Sequence, residues 1–138
     1  MEIEIKVKSS QFSKETGHSN QEFSCTGKLE QRGEKYYLRY REPKNSDEIP
    51  ADVTLKVDGE SVTLMRSGDA HSHFVFVKGQ RDVSKYITPY GAFLMSIMPK
   101  VVKISRTDTG GEINLGYSLC INNDTETENN FCITYNFK

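Results

Sequence analysis

Residues 84–98 read Ser-Lys-Tyr-Ile-Thr-Pro-Tyr-Gly-Ala-Phe-Leu-Met-Ser-Ile-Met, two short apolar runs facing each other across Thr88-Pro89-Tyr90-Gly91. Pro89 presets φ for the first corner of a tight turn, and Gly91 tolerates φ > 0. On the far arm Phe93, Met95 and Ile97 alternate with Ala92, Leu94 and Ser96. One face is therefore wholly apolar and the other mixed. The spacing predicts a β-hairpin, and the rest of the chain repeats the design with less hydrophobicity.

Upstream, His71 to Val77 reads as a strand reached through a turn at Ser67-Gly68-Asp69. Val62, Leu64 and Arg66 share one face of the preceding strand, which returns from Val53, Leu55 and Val57 through Asp58-Gly59, a strong hairpin signal. Glu42 to Pro50 holds two prolines and reads as a loop. Tyr36, Leu38 and Tyr40 alternate with Tyr37, Arg39 and Arg41, the pattern of an antiparallel strand with one solvated side. Phe23, Cys25, Gly27 and Leu29 share a face, as do Ile3, Ile5 and Val7. The polar run from Ser9 to Gln21 reads as a loop. Downstream, Pro99 interrupts before Val101 to Arg106, and Gly110-Gly111 marks a turn. Ile113, Leu115, Tyr117, Leu119 and Ile121 then keep period two. Beyond a polar tip at Asn122 to Asn130, Phe131, Ile133, Tyr135 and Phe137 do the same.

These runs make about ten short strands without any 3.6-residue periodicity, the rhythm of a sandwich or barrel. Nearly every connection is of hairpin length, which favours an up-and-down meander. Left flat, such a meander would expose two edges and one apolar face. Curling removes both hazards, so the expected fold is all-β, an antiparallel up-and-down barrel of about 8–10 strands with little helix.

At 138 residues the chain is expected to form one domain over residues 1–138, long enough to bury a core without metals or disulfides. Eighteen Lys and Arg face 19 Asp and Glu, a formal net charge of −1, so no global field recruits nucleic acid or an anionic membrane. Neither partner is expected. The first residues alternate and contain no apolar stretch of signal-peptide length, which points to a cytoplasmic protein. Cys25, Cys120 and Cys132 are odd in number and fit no zinc spacing, so free thiols are expected. Were Ile121 to face Phe131, Cys120 and Cys132 would be cross-strand neighbours.

Tyr-Tyr-Leu-Arg-Tyr-Arg at 36–41, the run from Thr54 to Gly68 ending Arg-Ser-Gly, Tyr-Ile-Thr-Pro-Tyr-Gly at 86–91 and Ile-Asn-Leu-Gly-Tyr-Ser-Leu at 113–119 resemble the DUF1934 family of small bacterial proteins over nearly the whole chain. The resemblance implies a lipocalin-like (calycin) barrel in a bacterial cytoplasm. It brings no activity and no catalytic residues.

Barrels of this size fill their interior with side chains or hold one small ligand. Arg66 stands out, because it continues an inward apolar face where an unpaired Arg is rare. It could grip a carboxylate or phosphate, or simply pair with a Glu. Arg106 extends the Val102, Ile104 face in the same way. Tyr40, Tyr86 and Tyr117 combine an apolar body with a hydroxyl tip and suit either a pocket wall or a packed core. His71 and His73 lie two apart on one strand face, but no third ligand accompanies them, so no metal is expected. Tyr36-Tyr37 with Arg39 and Arg41 mixes aromatic and basic residues, yet alternation places the charges on a solvated wall. No nucleophile elbow, phosphate loop or dinucleotide fingerprint is present, and neither an enzyme nor a cofactor is expected. The leading expectation is a non-enzymatic barrel holding a small, partly apolar or anionic ligand at Arg66, Tyr40, Tyr86, Tyr117 and Arg106. The alternative is a filled barrel serving as a structural or interaction module, as in a homodimer.

Overall fold

Alternation of apolar and polar side chains puts one face of each strand against its neighbours' apolar faces, and ten such strands form a single antiparallel sheet in the computed structural model. The structure describes residues 1–15, 17–42, 51–68, 70–123 and 125–138. The loop expected at 42–50 lies, beyond Glu42, outside those residues, as does Asp69 of the expected turn at 67–69. The strands are β1 (Glu2–Ser13), β2 (Gly17–Arg32), β3 (Lys35–Arg41), β4 (Ala51–Asp58), β5 (Ser61–Gly68), β6 (Ser72–Phe76), β7 (Asp82–Thr88), β8 (Gly91–Arg106), β9 (Gly110–Ile121) and β10 (Thr125–Phe137). Among the described residues there is no helix, and hence none long and apolar enough to cross a membrane.

Each strand pairs with its sequence neighbours except β6 and β7, which lie at the two ends of the sheet. β1 pairs with β10, joining the two ends of the chain, so the order runs β6-β5-β4-β3-β2-β1-β10-β9-β8-β7. The expected up-and-down barrel is therefore nearly closed, with its seam between β6 and β7. There His71 and Ile87 exchange two backbone bonds of 2.8 and 3.0 Å, and a Val77–Gln80 bridge closes the turn. Between those points the strands part. Side chains of β7 fill in, as Asp82 Oδ2 accepts from Val75 N at 2.7 Å and Ser84 Oγ from His73 N at 3.4 Å. Backbone donors of β6 that would otherwise present a bare edge are thus satisfied.

The core is a stack of cross-strand rows. Phe23, Val7, Ile133, Ile113 and Ile104 oppose one another in sequence around one wall. Leu38, Leu55, Leu64 and Phe74 do so around the other. Ile3, Leu38, Leu55, Ile113 and Ile133 are wholly buried. The Asp58-Gly59 hairpin forms as read, with φ = 60° at Gly59.

Four local readings are corrected. Ser9–Ser13 and Gly17–Gln21 are strand rather than loop, extending the β1–β2 hairpin to a turn at Lys14-Glu15. Pro99 does not divide two strands. It lies buried inside β8, where a register shift between Pro99 and Val101 marks a bulge. The extra residue moves the inward set from Ile97 and Pro99 to Val102 and Ile104, which is why the two runs had opposite parity. Gly110 and Gly111 belong to β9, opposite Asn136 and Tyr135, and the turn is Thr107-Asp108-Thr109. A side chain at Gly111 would strike the Tyr135 ring and lie 2.7 Å from the Ser105 carbonyl oxygen. Finally, the polar tip expected at Asn122 to Asn130 is strand from Thr125 onward, part of β10. At the tip of the 84–98 hairpin Ile87, Leu94 and Tyr90 are exposed by 47, 42 and 87%.

Candidate functional site

The inward rows change character along the barrel axis. From the Phe23–Val7–Ile133 row toward the β1–β2 turn, the next row is Gln21, Ser9, Phe131 and Leu115. The one after is Ser19, Gln11, Asn129 and Tyr117. Alternation persists, but the inward positions turn polar. Ser9, Gln11, Ser19, Gln21 and Asn129 stand there beside Phe131, Leu115 and Tyr117, and a cavity of about 490 Å³ opens at this end of the barrel.

On the opposite wall Tyr40, Val53, Arg66 and Ser72 form the matching row. Tyr40, Arg66, Tyr86 and Tyr117 all line the cavity, so four of the five residues singled out from the sequence come together. Phe23 contacts the Tyr40 ring with centroids 6.1 Å apart, and Tyr117 meets Phe76 edge-on at 5.0 Å, which holds both tyrosine bodies in place. Tyr86 sits opposite Phe93 on the β7–β8 hairpin.

Arg66 does not stand alone. Its Nη1 donates to Glu42 Oε1 in an ion pair whose side chains are 33 and 11% exposed. The Glu pairing weighed as the ordinary explanation of Arg66 is thus present, and Glu42 also lines the cavity. The Tyr40 hydroxyl is buried without a hydrogen-bond partner among the described residues. Burial pushes its ionisation far above the usual phenol range, opposed by the Arg66 charge and aided by Glu42. Burial likewise raises Tyr117, again opposed by Arg66. Both phenols are neutral at physiological pH and can donate.

Arg106 belongs elsewhere. It lies 4.3 Å over the Tyr36 ring and donates to Gln31 Oε1 at 2.9 Å, covering the packed end. Its row contains Gly111 and Tyr135, far along the axis from Arg66. His71 and His73 are exposed and face away from the lumen. No group of three His, Cys, Asp or Glu among the described residues could hold a metal. Arg39 and Arg32 pack against the Tyr37 ring and share Glu30 as their ion-pair partner, an exposed outer cluster. Cys120 opposes Glu126 and Cys132 opposes Asn114, so the two thiols are not neighbours, because Phe131 faces Leu115 rather than Ile121. All three cysteines are free. Ser9, Gln11, Gln21 and Asn129 were missed as lining. Their signal was parity with Val7, Phe23 and Phe131, which polarity overrode.

The family model described as a domain of unknown function, DUF1934, matches residues 5–133. This chain belongs to the DUF1934 family. The uncharacterised β-barrel protein YwiB of Bacillus subtilis (strain 168) is 28% identical over 114 residues, covering 83% of this chain and 79% of YwiB. The crystal structure of ywiB protein from Bacillus subtilis superposes with a TM-score of 0.87 at 26% identity, over 99% of this chain and 92% of that one. The ten-stranded barrel is thus the DUF1934 fold.

Proposed function

We propose that this DUF1934 protein is a non-enzymatic, cytoplasmic single-domain barrel that binds one small molecule in the polar end of its lumen. The cavity carries the reading: about 490 Å³, it is lined by Tyr40, Tyr86, Tyr117 and the Arg66–Glu42 pair, and the buried Tyr40 hydroxyl behind its wall has no partner among the described residues. A buried polar group without a partner is costly, and a bound molecule that reaches it would remove that penalty. Tyr86 and Tyr117 supply apolar wall, and Arg66 with Glu42 supplies a polar anchor on the opposite side. The cavity size falls in the range of small-molecule sites, as in lipocalin-like barrels, and its lining is more polar than most. Native mass spectrometry of the protein purified from its own host tests this. A copurified small molecule lost on Tyr86→Ala plus Tyr117→Ala substitution is expected, and a bare chain that no small molecule stabilises in thermal melts would overturn it.

A second reading, a homodimer, draws on the exposed apolar tip formed by Ile87, Leu94 and Tyr90. Light scattering should then report a dimer that Leu94→Glu dissociates, and a monomer at all concentrations removes it.

A further inference from the structure

The lumen-binding reading leaves open what kind of molecule enters, and the charges on its wall bear on that. Among the described residues, Arg66 and Glu42 are the charged side chains lining the cavity, and they are paired with each other. The rest of the polar lining is hydroxyl or carboxamide, from Ser9, Gln11, Gln21 and Asn129 on one wall and the tyrosines on the other. Resting on that reading, we infer that the ligand is an uncharged polyhydroxy compound of about monosaccharide size, not the anion that an unpaired Arg66 would select.

Three features converge. An anion would have to compete with Glu42 for Arg66 and sit close to a carboxylate that is only 11% exposed, a like-charge contact in a partly desolvated space. A long aliphatic chain would lie along two rows of hydroxyls and amides and leave them unpaired. Hydroxyl groups avoid both penalties, because each donates and accepts, as carboxamides and phenols do. Asn129 Nδ2 donates to Thr127 Oγ1 at 2.9 Å, so its amide is held in one orientation before any ligand arrives. The aromatic walls of Tyr86 and Tyr117 offer flat apolar surface to the C–H face of a ring.

The test uses the full chain in thermal melts and titration calorimetry with four probes: glucose, myo-inositol, glucose 6-phosphate and dodecanoate. Glucose or myo-inositol should raise the melting temperature saturably, with glucose 6-phosphate no tighter than glucose. Gln11→Leu, at the exposed rim, should weaken that binding at least tenfold while leaving the unliganded melting temperature unchanged. Glu42→Gln should release Arg66 and shift preference toward glucose 6-phosphate. If wild type responds only to glucose 6-phosphate or dodecanoate, the charge class proposed here is overturned while lumen binding survives. Silence from all four probes overturns both.

Discussion

The two ends of this barrel are built from the same ten strands and the same alternation, yet one is filled and the other is open. At the closed end Ile3, Leu38, Leu55 and Ile113 interdigitate, and Arg106 lies across Tyr36 as a cover. At the open end the inward positions are Ser9, Gln11, Gln21 and Asn129, and a lumen remains. The difference teaches that a barrel's cavity is set by which side chains occupy the inward parity, since the backbone architecture is common to both. Stability should therefore reside at one end and binding at the other.

The largest effect that could break this division is in the packed rows. Leu38→Ala removes a side chain with 0% exposure between Leu29 and Leu55. It should destabilise the protein by about 2–5 kcal/mol in urea unfolding, from lost transfer free energy plus the cavity left behind. Gln11→Ala, in the open rows, should stay within about 0.5 kcal/mol of wild type. Similar losses at both positions would mean that the open end is structural core after all.

Next in size is the Arg66–Glu42 pair, which sits in the open half but is only partly hydrated. A double-mutant cycle with Arg66→Met and Glu42→Gln should give a coupling of about 1–2 kcal/mol, between the values for exposed and fully buried pairs. A coupling near zero would make this wall as wet as the outer surface.

Much of this division was written in the sequence, and parity was the part that could be read. Arg66 was found because it follows Val62 and Leu64 in step, and Tyr40 and Tyr117 were found in the same way. The polar rows were lost because polarity and loop composition look alike along a chain. Only pairing to β10 and β2 shows that Ser9 and Gln11 continue the inward face. Register across the β1–β10 join is also a long-range property, so nothing local could tell that Arg106 and Arg66 point into opposite ends. Pro99 misled for a related reason: a bulge lets a proline sit inside a continuous strand, and it reverses parity where a break would restart it. Gly110 and Gly111 looked like a turn because flexibility and lack of room leave the same residue behind. Tyr135 passing over them is what requires glycine.

A smaller effect sharpens the comparison by its sign. Tyr40→Phe removes a buried hydroxyl that has no partner among the described residues, so it should stabilise the unliganded protein by about 0.5–1.5 kcal/mol near neutral pH. A loss of stability instead would reveal a partner for the hydroxyl and weaken the case for a ligand. The pH dependence follows from the raised ionisation of Tyr40. The unfolded phenol titrates near about 10, and the folded one only well above that. Below about pH 10 both states hold the proton and stability does not depend on this group. Above it the unfolded state binds fewer protons, so stability falls by up to about 1.4 kcal/mol per pH unit for this group until the folded phenol also ionises. Tyr40→Phe should make the alkaline limb measurably shallower, as read by denaturant midpoints across pH 9–11.

The least global change is expected at the seam, which runs between the two ends and is held by side chains rather than a continuous ladder. Asp82→Ala deprives the Val75 amide of its 2.7 Å acceptor. Since strands can part there without unravelling the other pairings, overall stability should drop by about 1 kcal/mol or less. Hydrogen exchange is the better reporter: the Val75 amide should lose protection, while the His71 amide, bonded to the Ile87 carbonyl oxygen, should keep most of its own. Asp82→Asn, which retains an acceptor oxygen, should restore much of the protection at Val75. If Asp82→Ala instead accelerates exchange throughout β6 and the β1–β10 join, the barrel opens as one cooperative unit, and the open end cannot loosen independently of the packed one.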